Sequence, residues 1–348
     1  MIRSNNTTDC VVSQDYELFF HSSGSVEKCM IEPANALLEY SQKRNLHLTF
    51  FVDVGMLRCF DRHAADNKHV ARDARSIRKN LRAIAEAGHE IGLHVHPHWE
   101  DTRLVDGRWD FSNTRYQLRD FSADEINDIF RSYFSLLQDL AKAPIVSYRA
   151  GGFCVEPFAA ISGLLLELGI DIESSVVPGA KLIDPQKGFD FAGAPDVRGW
   201  CFDSSPTVPS GEGPFVEVPV TPNTVSRFFY WGRLVDRLGP QQRAQHFGDG
   251  LSKAIGRREV LRRLLGGSRT SELSLDAAKA PYLLPIARRA NRRSTWHVMG
   301  HPKLLSRRSL EIFDEFIEQA RIDRFLTVAG LAGQVRAADS GRRPQAIG

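Results

Sequence analysis

The stretch Gly88 to Trp99, GHEIGLHVHPHW, carries histidines at alternate positions, His94, His96 and His98. Neutral imidazole is the commonest protein ligand for zinc-like ions, and the four-residue offset between His94 and His98 brings two side chains to one metal. In an extended strand His96 shares their face, but Pro97 signals a turn that throws it aside, so the expected ligand pair is His94 and His98. The bland alternative is a surface histidine cluster of the tag type. Tags sit at termini, and this cluster instead follows a Gly-capped helix and an Ile-Gly-Leu strand.

Four other positions carry chemistry: Asp15 and Glu17 after the first apolar run, Arg149 followed by Gly151 and Gly152, and His301 before Pro302 and Lys303. Each has a structural alternative. Arg149 reads equally as an ion-pair residue at a strand end and His301 as a turn histidine. Glu217 and Asp53 read as structural, although a carboxylate in a buried strand needs a partner.

The elements that position these residues are legible from hydrophobic period. Asp9 to Phe20 opens as an apolar strand, Ile31 to Lys43 has helical spacing, and Leu46 to Val54 is apolar enough to be buried on both faces, as parallel strands under helices are. Arg72 to Ala87 is an amphipathic helix stopped at Gly88, and the histidine strand follows at once. Trp99 to Phe121 lacks periodicity and reads as an active-site loop. Ser122 with Glu125 is a capping box for a helix through Leu140. Val146 to Cys154 is a fourth strand, Ile170 to Ser174 a fifth, Ser175 to Gly213 a Pro- and Gly-rich excursion, and Val216 to Val220 a return to the sheet. After an arginine-rich, helix-like insertion at 223–293 come a strand at Trp296 to Met299, a helix at Ser309 to Ile322 and a closing strand at Phe325 to Val328. Strand-helix units repeated about seven times, with no G-x-G-x-x-G after the first strand, predict an α/β fold closing as a barrel, with the catalytic residues gathered at the strand C-termini.

Composition bounds the reading. The chain has 348 residues, 42% hydrophobic and 25% charged, with a formal charge of +3, which suits one globular α/β domain over 9–336 with a disordered tail at 337–348 and does not announce a nucleic-acid binder. No signal peptide or membrane span is recognisable, so a cytoplasmic location is expected. The five cysteines, Cys10, Cys29, Cys59, Cys154 and Cys201, form no C-x-x-C pair and read as free thiols.

These motifs together resemble the NodB-homology polysaccharide deacetylases, the carbohydrate esterase family 4 group. LLEYSQKRNLHLTFFVDVG is similar to the family's helix and second strand, GHEIGLHVHPH to its H-x-x-x-H metal motif, SYRAGG to its arginine motif and GHPK to its late histidine motif. IESSVVP and VEVPVT resemble the subgroup associated with surface polysaccharides. The resemblance implies a distorted (β/α)7-type barrel, a divalent metal, usually zinc, and hydrolysis of an N-acetyl group from an amino sugar; removal of an N-formyl group is the neighbouring possibility. Where much of the family has adjacent aspartates, this chain has Asp15-Tyr16-Glu17; an acid-x-acid arrangement makes Asp15 the base and Glu17 the ligand, and the reverse assignment stays open. SYRAGG lacks the family's proline and tyrosine.

Amide hydrolysis needs an activated water, a polarised carbonyl and a proton for the departing amine. A metal held by Glu17, His94 and His98 answers the first two. Asp15 takes the water's proton, His301 protonates the leaving nitrogen, and Arg149 orients Asp15. Backbone N–H groups near Gly151 and Gly152, with His96 beside them, face the oxyanion and substrate. Two further readings stand beside this one: a hydrolase of cyclic amides or ureides on the same scaffold, and a non-catalytic carbohydrate-binding relative. The insertion concentrates arginine, and its end runs into the strand bearing His301. That predicts a flap near the catalytic mouth that meets a nucleotide- or polyprenyl-linked sugar, or the anionic face of a membrane as a peripheral contact.

Overall fold

The computed structural model describes residues 7–112, 114–238, 246–251, 261, 264–289 and 293–340. Its strands in chain order are β1 (Asp9–Tyr16), β2 (Thr49–Asp53), β3 (Glu90–Val95), β4 (Arg103–Val105), β5 (Arg108–Asp110), β6 (Ser147–Ala150), β7 (Ile172–Glu173), β8 (Lys181–Leu182), β9 (Phe189–Asp190), β10 (Trp200–Phe202), β11 (Phe215–Glu217), β12 (Pro222–Val225), β13 (Arg269–Glu272), β14 (Thr295–Gly300) and β15 (Arg324–Leu326). The helices are α1 (Glu32–Arg44), α2 (Val54–Ala64), α3 (Lys68–Glu86), α4 (Ala123–Gln138), α5 (Ser162–Glu167), α6 (Arg227–Leu238), α7 (Leu283–Arg289), α8 (Arg307–Ala320) and α9 (Val328–Ser340).

β1 is buried along its whole length because it has neighbours on both edges and helices on its outer face. It pairs in parallel with β14 on one side and with β2 on the other, and β15 lies beside its first three residues. The sheet continues in the order β2, β3, β6, β7, β11, all parallel, and ends with β10 antiparallel to β11. Beyond β11 the chain crosses to the far edge: Val218 N–H donates to Glu173 O at 2.9 Å and Thr221 N–H to His297 O at 3.1 Å. This thin seam curls the sheet into a distorted barrel. Because the central strands are parallel, the residues that follow β1, β3, β6 and β14, namely Glu17, His96, Gly151 and His301, emerge at one end.

Local chemistry sets several boundaries. Ser122 and Glu125 form the predicted capping box of α4. Asn67 caps α3 by accepting from the N–H groups of His69 and Val70. The hairpin pairs β4–β5 and β8–β9 lie within the expected active-site loop and the Pro- and Gly-rich excursion.

Several elements differ from the expectation. α2 follows β2 directly where no element is expected, burying Met56, Leu57, Cys59 and Phe60. The closing strand ends at Leu326, and Val328 begins a helix: its first N–H groups bond to Thr49 Oγ1 at 2.9 Å and Glu90 Oε2 at 2.8 Å, and Val328, Leu331, Ala332 and Val335 pack beneath the barrel. That helix runs to Ser340, past the point where a disordered tail is expected; residues 341–348 lie outside the described ones. The insertion is not wholly helix-like, since β12 and β13 pair antiparallel at its base. Its arginines 257, 258, 262, 263 and 292 lie outside the described residues.

The end of the insertion is not at the mouth. Arg293 ion-pairs with Asp196 and packs over Trp296, so it meets β14 at its N-terminal end, with the six-residue strand between it and His301. The segment 246–251 does reach the mouth: Gly248 N–H donates to Lys303 O at 3.1 Å, and Leu251 bridges Ser22. Among the described residues no helix is long and apolar enough to cross a membrane.

Candidate metal and acid–base centre

At the C-terminal end of the barrel a cavity of about 280 Å³ is lined by Asp15, Glu17, His94, His96 and His301, with Lys303, Tyr116, Gly152 and Phe153 on its walls. Among the described residues Glu17, His94 and His96 form the group whose ligand-capable atoms lie within 4.8 Å of one another, and all three are buried.

The third member of that group is His96 and not His98, for a backbone reason. The extended conformation continues through His96 (φ −108°, ψ 94°), so His94 and His96 share a face by the strand's two-residue period. Pro97 starts the turn one residue later than the expectation places it, and it is His98 that is turned away. The His98 ring stacks on Tyr116 (centroids 5.6 Å, 11°) and on Trp99 (5.8 Å, 25°), inside an aromatic layer with Phe20 and Phe111. Burial first, then the neighbouring His96, holds the His98 pKa well below the usual histidine value, so this ring is neutral.

His94 Nδ1 lies 2.8 Å from the carbonyl of Arg149. A carbonyl only accepts, so Nδ1 carries the proton and Nε2 turns toward the carboxylates, 3.6 Å from Glu17 Oε2 and 3.9 Å from Asp15 Oδ2. His96 Nε2 comes to 2.7 Å from Glu17 Oε2, yet neither atom makes a directed hydrogen bond. Two ligand atoms crowding one point without a bond between them is the arrangement a shared cation resolves. A carboxylate oxygen and two imidazole nitrogens also match the donor set of zinc-type sites, so the residues present fit such an ion. Burial works to raise the Glu17 pKa, but Lys303 and His96 outweigh it and hold the carboxyl ionised, well below its ordinary range.

Asp15 and His301 face this group. Asp15 Oδ1 accepts from Arg149 Nη1 at 2.7 Å, while Oδ2 looks into the cavity. Arg149 is fully buried; it also donates to Ser174 O and Ser174 Oγ and lies over the Phe51 ring at 4.2 Å. His301 Nδ1 sits 3.1 Å from Asp276 Oδ2, and Nε2 lies 3.8 Å from Asp15 Oδ2. Burial opposes protonation of His301, but Asp276 overcomes it, with Asp15 and Glu17 adding to the effect, and the pKa rises to about 9. The ring is cationic at neutral pH.

The glycines of SYRAGG make room. A Cβ on Gly151 would sit 2.6 Å from His96 Nδ1, and one on Gly152, which has φ +59°, would sit 2.7 Å from the Tyr116 hydroxyl. Gly152 lines the cavity and Gly151 backs the His96 ring. The two acids read as structural have partners: Asp53 accepts from Trp99 Nε1 at 2.5 Å, and Glu217 accepts from Val176 N–H at 3.1 Å beside Glu173. Burial, then Glu17, raises Asp53 to about 8, and burial, then Glu173, raises Glu217 well above its ordinary value. None of the five cysteines is in a disulfide, and all five are buried.

Three residues of the centre are given no role in the sequence reading. Asp276 sits in SELSLDAAK, which carries no motif. Tyr116 lies in the aperiodic loop. Lys303 is adjacent to His301 in GHPK, so its signal was present.

No family model matches the chain, and no curated protein does. Solved structures do. A Mycobacterium smegmatis protein assigned as a polysaccharide deacetylase superposes with a TM-score of 0.50 at 17% identity, covering 99% of this chain and 95% of that one. This chain has the polysaccharide deacetylase fold. Looser matches are an allantoinase (TM-score 0.46, 11% identity, 96% and 92% covered) and a peptidoglycan N-acetylglucosamine deacetylase (0.36, 13%, 94% and 89%), and at those scores nothing rests on them. The cavity lies where the parallel strands end, the face of a barrel on which loops can gather side chains from several strands.

Proposed function

We propose that the protein is a metal-dependent amide hydrolase that removes an N-acetyl or N-formyl group from an amino sugar. The observation that carries this reading is the convergence of Glu17 Oε2, His94 Nε2 and His96 Nε2 on one point of a cavity whose other wall presents a carboxylate and a cationic histidine. Glu17, His94 and His96 hold the divalent ion, for which zinc best suits the donors. When bound, such an ion acidifies water and polarises the acyl oxygen.

The chain's own residues do the rest. Asp15, oriented by Arg149, accepts the proton of the attacking water through Oδ2. The water oxygen joins the acyl carbon, the carbon–nitrogen bond breaks, and His301 delivers its Nε2 proton to the departing amine. Asp276 holds His301 Nδ1 and keeps that proton in place near neutral pH. Gly152 offers backbone at the cavity wall on the oxyanion side. Tyr116, Phe19, Phe20 and Phe153 supply an apolar wall for a sugar ring.

The finer reading is a sugar carried on a nucleotide or polyprenyl diphosphate during cell-surface polysaccharide assembly in the cytoplasm, as an enzyme of one domain over 9–336. It is supported by the resemblance of IESSVVP and VEVPVT to that subgroup. A non-catalytic relative has no physical need for Asp15, Arg149, Asp276 and His301 in register with three ligands. The test is acetate or formate release from N-acyl amino sugars and their nucleotide-linked forms by zinc-loaded protein, with hydantoin-type cyclic amides as the comparison. Turnover of the cyclic amides alone overturns the sugar reading.

A further inference from the structure

Glu17 stands one methylene further from its backbone than an aspartate would, and its two oxygens are in different situations. Oε2 is the atom that converges with His94 and His96. Oε1 accepts from Lys303 Nζ at 2.8 Å. The same ammonium donates to Leu18 O at 2.6 Å and lies about equally far from two ring faces, 5.1 Å from Phe19 and 5.0 Å from Phe20. Lys303 is only 5% exposed, and every one of these contacts falls on residues 17 to 20. A buried cation with so many restraints has one position.

We propose that Lys303 is a positioning residue that takes up Oε1, limits Glu17 to a single ligating oxygen, and lowers the affinity of the site for its cation. This rests on the metal-binding reading above. Two effects act in one direction. Occupying Oε1 removes a second donor, and an ammonium beside the carboxylate opposes a divalent charge in a site of low dielectric. The longer glutamate arm thereby becomes workable: its far oxygen is tied down and does not wander over the ion.

The test compares wild type with Lys303→Met, a neutral side chain of similar length that keeps the contacts with Phe19 and Phe20. Both are stripped with chelator, checked for an unchanged circular dichroism spectrum, and titrated with zinc by calorimetry at pH 8, then with cobalt while the visible absorption is recorded. Lys303→Met should bind zinc about tenfold or more tightly, and its cobalt bands should weaken as Glu17 contributes a second oxygen. Lys303→Arg, which keeps the charge, should stay close to wild type. Equal or weaker zinc affinity in Lys303→Met, or an unchanged cobalt spectrum, overturns the proposal. Absence of zinc binding by wild type overturns the metal reading itself, so the two failures are distinguishable. If Lys303→Met fails to fold, Lys303→Leu, which also lacks a donor for Oε1, serves in its place with the same expectations.

Discussion

Asp15 Oδ2 and His301 Nε2 lie 3.8 Å apart, and each is held from behind by a partner of opposite charge: Arg149 on Asp15 and Asp276 on His301. Arg149 orients Asp15 to take a proton and Asp276 keeps His301 charged to give one, which is the arrangement a base and an acid in the same reaction require.

Asp15→Asn should keep the metal and lower turnover by about 10²- to 10⁴-fold, the usual value of a positioned base. Glu17→Gln should lose metal first. Metal analysis of both purified variants beside acetate release decides it; the reverse pattern would mean that base and ligand are exchanged.

Asp276→Asn should move the alkaline limb of the pH–rate profile to lower pH. A general acid must be protonated, so activity persists below the His301 pKa of about 9 and fades as pH rises through it. Burial favours the neutral ring, and without Asp276 that effect is opposed only by Asp15 and Glu17. An unmoved limb would show that another group sets it.

His96→Ala should abolish stoichiometric metal, while His98→Ala should retain it and cost about 1–3 kcal/mol of stability through the gap left in the Tyr116–Trp99 stack. Equal metal loss in both would contradict the grouping of His96 with Glu17 and His94.

This pair also shows what was legible in the sequence. The strand-helix order, the end of the barrel that carries the chemistry, and the meeting of Asp15, Glu17, His94, Arg149 and His301 all follow from period, caps and strand direction. Which histidine turns away does not, because it depends on whether Pro97 begins the turn before or after His96, a one-residue question that spacing leaves open. Asp276 was invisible for a different reason. It reaches His301 from a segment with no motif, held there by the bridge of Ser274 to Met299 and by Ala277 N–H donating to Leu304 O. The misplaced end of the insertion was a matter of direction: entering β14 means arriving at the far end from His301. Val328, Leu331, Ala332 and Val335 carried a helical period that the strand expectation obscured.

His89 gives a prediction about stability, away from the site. It is 7% exposed, accepts from Leu48 N–H through Nδ1, and is held neutral, with burial first and His47 second lowering its pKa to about 4 from 6.5. A depressed histidine contributes stability that is fully present above pH 6.5 and is lost as pH falls toward 4, at most about 3 kcal/mol. Urea midpoints of wild type and His89→Gln at pH 7.5 and 4.5 should differ in slope, with wild type losing more. Parallel loss in both would remove His89 as a cause.

The most direct measurement is anomalous diffraction at the zinc edge from crystals of the protein grown with zinc. One strong peak is expected at about 2.0–2.2 Å from Glu17 Oε2, His94 Nε2 and His96 Nε2, with Asp15 and His301 on the open side. A peak on His98, or no peak among these residues at full zinc occupancy of the solution, would contradict it.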